Sequence, residues 1–226
     1  MPLAGGVTQE PTEPDAVERQ ACTPVPLSLA GFNPRCVLPH GLETGHVRGA
    51  MEAFLEFLGF INEQLNSRSM PRLESFMMAA NFSSLVGEFM SSNIPRFCPS
   101  LVKNRFHNGH PDLVPQGMYP RNSVQHASVG IELKASRYLR GWQGHNAEDT
   151  WLMVFCFESN TSQQGAEVNC RPQPFRFVKV VGADIVEADW NFSGRSETSR
   201  RTITASVTRS GFEKMEANWI YRASHR

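Results

Sequence analysis

Apolar residues recur at helical spacing between Thr44 and Asn66, at Met51, Phe54, Leu55, Leu58, Ile61 and Leu65. Side chains three and four apart share one helix face, so this stretch is predicted to be an amphipathic helix capped by Thr44. Ser67-Arg68-Ser69-Met70-Pro71 interrupts the stripe, and Pro71 suits the first turn of a second helix carrying Leu73, Phe76, Met77 and Ala80. That second helix either runs on through Phe82-Ser83-Ser84 or breaks there and restarts with Leu85, Val86, Phe89 and Met90. These stripes read as core.

Farther on, the period changes from helical to alternating. In Val129-Gly130-Ile131-Glu132-Leu133-Lys134 the apolar residues Val129, Ile131 and Leu133 alternate with Gly130, Glu132 and Lys134. A strand sends successive side chains to opposite faces, so Glu132 and Lys134 emerge together while the other three enter the core. Trp151 to Phe157 is continuously apolar, the mark of a central strand covered on both faces. Phe175 to Val181 gives another strand, which Asp184-Ile185-Val186 extends or pairs with. Thr202 to Thr208 alternates again, and Trp219, Ile220 and Tyr221 form a last strand packing on the body. Helices followed by strands give an α/β fold, a mixed central β-sheet flanked by helices.

Composition refines this. Residues 1–30 are rich in Pro, Ala, Gly, Thr and Glu and cannot bury a core, so they read as a flexible arm, mobile or draped. Residues 31–226 then make a single domain. The formal net charge is zero, so any contact with nucleic acid must come from a local patch. No apolar run approaches the length of a bilayer span, and the first residues lack a basic region followed by an apolar core, so neither a membrane partner nor a secretory signal is expected. Five cysteines without a pairwise motif fit reduced thiols in a cytoplasm.

The chemistry concentrates around Asn104 to Val114. Pro111-Asp112 ends a polar run just before a short apolar pair, and Pro115, Gly117, Pro120, Arg121, Asn122 and Ser123 supply turn chemistry before the alternating strand. Strand, long turn and strand would set Asp112 beside Glu132 and Lys134. Two carboxylates on neighbouring strands are the oxygen ligands that a hard divalent cation takes. An ammonium close by can orient an attacking water.

Pro111-Asp112, followed after nineteen residues by Glu132-Leu133-Lys134, resembles the PD-(D/E)xK nuclease superfamily, home of many restriction endonucleases and repair nucleases. The resemblance spans about residues 85–187 and implies a restriction-endonuclease-like core. It implies a magnesium-dependent endonuclease hydrolysing DNA phosphodiester bonds, with manganese able to replace magnesium, of the type II restriction or repair kind. It places metal ligation on Asp112 and Glu132 and water positioning on Lys134. It adds a helical glutamate upstream, for which Glu88 is the best match by spacing and Glu74 the second. Double-stranded DNA is the implied partner, and cutting both strands implies a homodimer.

Two stretches look suited to that partner. Ala135 to Asn146 mixes cations, aromatics, amides and glycines, and Arg137, Arg140, Gln143, His145 and Asn146 are its candidate phosphate and base contacts. Arg195, Arg200 and Arg201 sit among Gly, Ser and Thr near the C-terminus, where arginine forks could grip phosphates or pair with guanine. From Leu101 to His145 six Lys and Arg residues face only Asp112 and Glu132, which suggests a positive funnel around the carboxylates.

Other chemistries fall away. Cys98, His107 and His110 match no closed tetrahedral zinc spacing, and Cys36 with His40 is weaker still. Gly-x-Ser-x-Gly, Walker and Rossmann fingerprints do not occur. Two rival readings remain at this point: a non-catalytic nucleic-acid-binding module that keeps the nuclease fold, and a host-factor domain whose trio is a coincidence.

Overall fold

The computed structural model describes residues 13–144, 147–160, 164, 171–193 and 204–224. Helices come first: α1 (Glu13–Ala21), α2 (Thr44–Asn66), α3 (Leu73–Phe76) and α4 (Ala79–Phe97). Strands follow: β1 (Leu101–Lys103), β2 (Leu113–Pro115), β3 (Ile131–Ser136), β4 (Gln143–Gly144), β5 (Thr150–Glu158), β6 (Arg176–Ile185), β7 (Trp190–Ser193) and β8 (Thr204–Val207). Helix α5 (Arg209–Ala217) and strand β9 (Trp219–Arg222) end the described chain.

A six-stranded sheet in the order β1-β2-β3-β5-β6-β9 runs through the molecule. Only its β3–β5 pair is parallel; its other pairs are antiparallel. A second, antiparallel sheet has the order β4-β8-β7. The predicted class, a mixed sheet flanked by helices, is what is observed.

Strand β5 explains the layering. Met153, Phe155 and Phe157 join the core shared with α2 and α4, while Leu152, Val154 and Cys156 join a second core with Trp142, Trp190, Ala205 and Met215. Its unbroken apolar run is therefore two alternating rows, each buried on its own face. On the helical side, Phe54 of α2 is fully buried and its ring lies 5.1 Å from that of Phe175 and 5.2 Å from that of Phe89. Truncating such a buried ring to alanine costs about 3–5 kcal/mol.

Strand β3 carries the same two rows. Ile131 and Leu133 are buried among the helices, and Glu132 and Lys134 lie on the opposite face. Their parallel partners in β5 are Leu152 and Val154, which the second core covers. Val129, expected in the core with them, precedes the strand and is exposed. At Gly130 the β2 segment comes so close that an added Cβ would stand 2.3 Å from both the Leu113 carbonyl oxygen and the Pro111 ring. Only glycine fits there.

Several local expectations shift. Glu43, not Thr44, is the N-cap of α2, and its backbone N–H donates to His46 Nδ1 at 3.1 Å. The second helical region breaks at Met77–Met78, before Phe82, and Pro71 lies outside the short α3. Asp184 and Ile185 extend β6, and α5 stands in a stretch where no helix was expected.

From Glu13 onward the expected flexible arm is draped on the body, while residues 1–12 lie outside the described part. Ala21 and Cys22 are buried, and Val25 N–H donates to the Phe175 carbonyl at 2.8 Å. A buried guanidinium fixes this segment: Arg72 Nε donates to Glu18 Oε1 at 2.8 Å, and its other nitrogens reach the Gln173 carbonyl, Asn160 and Glu74. Cys22, Cys36, Cys98 and Cys156 are free thiols; Cys170 lies outside the described residues. Among the described residues no helix is long and apolar enough to cross a membrane.

Candidate active site

The antiparallel β2–β3 pair sets Leu113 opposite Ile131. This register brings the residue before Leu113 beside the residues after Ile131. Asp112 Oδ2 accepts a hydrogen bond from Leu133 N–H at 2.8 Å, so the Pro-Asp carboxylate is tied to the backbone between Glu132 and Lys134. Lys134 Nζ is 3.7 Å from Glu132 Oε1. Asp112, Glu132 and Lys134 share one cleft of about 1070 Å³ with Glu88, bordered by Gly144 of β4 and Trp190 of β7. Where the small sheet ends, the polar face of β3 opens into this cleft.

Electrostatics mark the carboxylate pair. Burial, then the neighbouring Glu132 charge, pushes the Asp112 carboxyl up from the ordinary 3.8 to about 7, against the Leu133 N–H and Lys134, which pull it down. A buried carboxyl beside a second carboxylate resists ionising. Glu132 moves the other way. Burial works to raise it, but the hydrogen bond to His110 and the Lys134 charge outweigh burial and hold it below the ordinary range.

His110 is the neighbour the sequence did not assign. Its Nδ1 stands 3.0 Å from Glu132 Oε2, and its Nε2 stands 3.2 Å from Glu148 Oε2 without the alignment of a hydrogen bond. Burial pulls the imidazole pKa down, but Glu132, Glu148 and Asp112 together raise it above the ordinary 6.5. The His126 ring stacks on His110 at 5.5 Å. In the sequence His110 groups with His107 and Cys98; His107 does line the cleft, while Cys98 is buried elsewhere against Ser100. The usable signal was its place directly before Pro111-Asp112.

The two glutamate candidates part company. Glu88 lies on the cleft wall, mostly exposed, with Lys103 Nζ at 2.7 Å, and its charge is among those raising Asp112. Glu74 is buried with Arg72 and Asn62, away from the cleft. It is a structural residue, and burial holds its pKa above the ordinary value despite those partners.

Three of the expected nucleic-acid contacts are not in the cleft. Arg137, Arg140 and Gln143 do not line it; Arg137 is partly buried, with Nη2 at 3.5 Å from Gln164 Oε1. Trp142 of the same segment is core, and its Nε1–H donates to the Tyr138 carbonyl at 2.9 Å. His145, Asn146, Arg195, Arg200 and Arg201 lie outside the described residues. The expected positive funnel is corrected as well. Among the described residues lining the cleft, the cations Lys103, Arg105 and Lys134 meet four carboxylates: Glu88, Asp112, Glu132 and Glu148. Arg121, Arg137 and Arg140, counted along the chain, point their charge elsewhere.

Among the described residues no group of three or more His, Cys, Asp and Glu side chains is arranged to hold a metal ion. The donors present suit a different mode. Magnesium is commonly held by one or two carboxylates, the remaining positions going to water and substrate phosphate. Asp112 and Glu132 are such a pair; burial, then the Glu132 charge, disfavours an ionised Asp112 despite Lys134, and a bound cation would favour it. Compared with known proteins, the chain matches no family model, no curated protein and no solved structure.

Proposed function

We propose that this protein is a metal-dependent endonuclease that hydrolyses DNA phosphodiester bonds, built on a restriction-endonuclease-like core. The observation that carries the reading is the meeting of Asp112, Glu132 and Lys134 in one cleft, with Asp112 pushed up to about 7 beside Glu132. A type II restriction or repair role belongs to the same proposal, and cutting both strands of a duplex would bring two such clefts together in a homodimer.

Asp112 and Glu132 would hold a magnesium ion, or manganese in its place. When bound, such an ion supplies positive charge where the phosphodiester gains negative charge during attack. The chain's own groups do the rest. Leu133 N–H fixes the Asp112 carboxylate, and His110 keeps Glu132 ionised and in place. Lys134, within 3.7 Å of Glu132, orients the attacking water and donates hydrogen bonds to a phosphate oxygen. Water adds to phosphorus as the bond to the leaving oxygen breaks, one water proton passing to solvent and the leaving oxygen taking up a proton from it.

Supercoiled plasmid incubated with the protein tests this. Magnesium or manganese should give nicked or linear DNA, and excess chelator should give none. Calcium should permit binding without turnover, since its longer, looser coordination positions water poorly. DNA that is bound but stays intact in magnesium would instead identify a non-catalytic binding module.

A further inference from the structure

One loop of the cleft wall is built more rigidly than a connection needs to be. Between β1 and Pro111 the chain makes a short finger, Asn104 to Gly109. Asn104 at its base is buried, and its side-chain amide makes four hydrogen bonds. Nδ2 donates to the Pro111 carbonyl at 3.0 Å and to the Val124 carbonyl at 2.8 Å. Oδ1 accepts from Phe106 N–H at 3.0 Å and from Val124 N–H at 3.1 Å. Asn104 N–H donates to the Asp112 carbonyl at 2.8 Å, and Gly109 N–H closes the finger on the Phe106 carbonyl at 3.0 Å. At Gly109 a Cβ would stand 2.5 Å from the Val124 carbonyl oxygen and 2.6 Å from Asn104 Nδ2.

This brace holds an apolar ring in the open. Phe106 is 41% exposed and faces the same cleft as Asp112 and Glu132, with the exposed Arg105 beside it. Exposing an aromatic ring forgoes the burial that usually stabilises it. The hydrogen bonds of Asn104 therefore fix Phe106 where no core contact calls for it, braced on the backbone of Asp112 itself.

We propose that Phe106 is a stacking platform for an unpaired nucleobase next to the phosphate held at Asp112 and Glu132, with Arg105 gripping a flanking phosphate. A flat aromatic face offers itself to any base, while a base inside a duplex keeps its faces against its neighbours. The site is thereby suited to nucleic acid whose base at the cleft is single-stranded, frayed or turned out of the stack. The location rests on the nuclease reading; the stacking does not.

The test is binding of fluorescently labelled DNA by the full chain, in calcium to prevent cutting. Single-stranded and fully paired oligonucleotides of the same sequence are compared for the wild type, Phe106→Ala, Phe106→Leu and Phe106→Trp. Stacking predicts that Phe106→Ala and Phe106→Leu weaken single-strand binding about tenfold or more, that Phe106→Trp retains it, and that duplex binding changes less. Equal loss in the alanine variant for both DNAs, a leucine variant as tight as wild type, or no binding of single strands would overturn the proposal. Cleavage in magnesium is read separately. Phe106-dependent binding without cutting leaves the platform standing and sinks the nuclease; cutting with Phe106→Ala unaffected in binding does the reverse.

Discussion

Asp112→Asn separates the charge of this carboxylate from its shape. The amide keeps the volume and an oxygen that accepts from Leu133 N–H, whose bond is 2.8 Å in the native protein. What disappears is the negative charge beside Glu132. The unfolded chain loses the Asp112 proton near the ordinary 3.8, the folded chain near 7. Between those values the folded state holds more protons, so this group makes wild-type stability fall as pH rises from about 4 to about 7, with no further change above. Each tenfold change in proton affinity is about 1.4 kcal/mol, so the displacement from 3.8 to about 7 has an upper limit of about 4 kcal/mol. Water in the open cleft screens the pair, and about 2 kcal/mol is the expected effect. For a chain of this size that is a rise in Tm of about 4–8 °C at about pH 8 in chelator, shrinking to nothing near pH 4. Thermal denaturation of both proteins across that range measures it. Magnesium should then raise the Tm of the wild type and leave that of the variant unmoved. An asparagine variant no more stable at about pH 8, or a gain undiminished at about pH 4, refutes the argument that burial and the Glu132 charge disfavour an ionised Asp112.

The same geometry makes other demands. His110→Ala removes the group that holds Glu132 ionised, so manganese affinity measured by titration should drop about 10–100-fold, and an unchanged affinity would deny His110 its supporting role. Arg72→Met leaves the buried Glu74 without its cation and should lower stability to urea by about 3–5 kcal/mol, while cleavage per folded molecule stays at the wild-type level; a smaller loss would mean that Glu74 is not held by Arg72. Because carboxylates outnumber Lys and Arg among the described residues of the cleft, DNA binding followed by anisotropy should be weak in chelator and recover in calcium; binding as tight in chelator contradicts the charge count.

What the sequence revealed, it revealed through periodicity. Met51, Phe54 and Leu58 announce α2, and the unbroken run from Trp151 to Phe157 announces a strand with both faces covered. Glu132 and Lys134 are legible as a pair because alternation within one strand fixes a common face. Their nearness to Asp112 was inferable because a turn-rich segment joins adjacent strands. Contacts between elements that no period links stayed hidden. For His110 only its place just before Pro111-Asp112 hints at Glu132, and the buried Arg72 with Glu18 and Asn160 is a meeting of three distant segments. Helix α5 was missed because Arg209 to Ala217 offers only Phe212 and Met215 as large apolar anchors. Its start is set instead by Thr208, whose hydroxyl accepts from Gly211 N–H. The charge count along the chain misled for a related reason. Sequence proximity gathered Arg121, Arg137 and Arg140 with the carboxylates, and the fold separated them.

The central claim is that these three side chains do chemistry together, and one rate tests it most directly. Plasmid cleavage in magnesium is timed for the wild type and for Lys134→Ala, each purified identically. Lys134 is partly exposed and supplies no metal ligand, so its truncation leaves folding and manganese affinity intact. The account predicts cleavage slowed by about 100-fold or more, as expected for losing a group that positions water and meets the developing charge. A Lys134→Ala protein that cuts at the wild-type rate would contradict it.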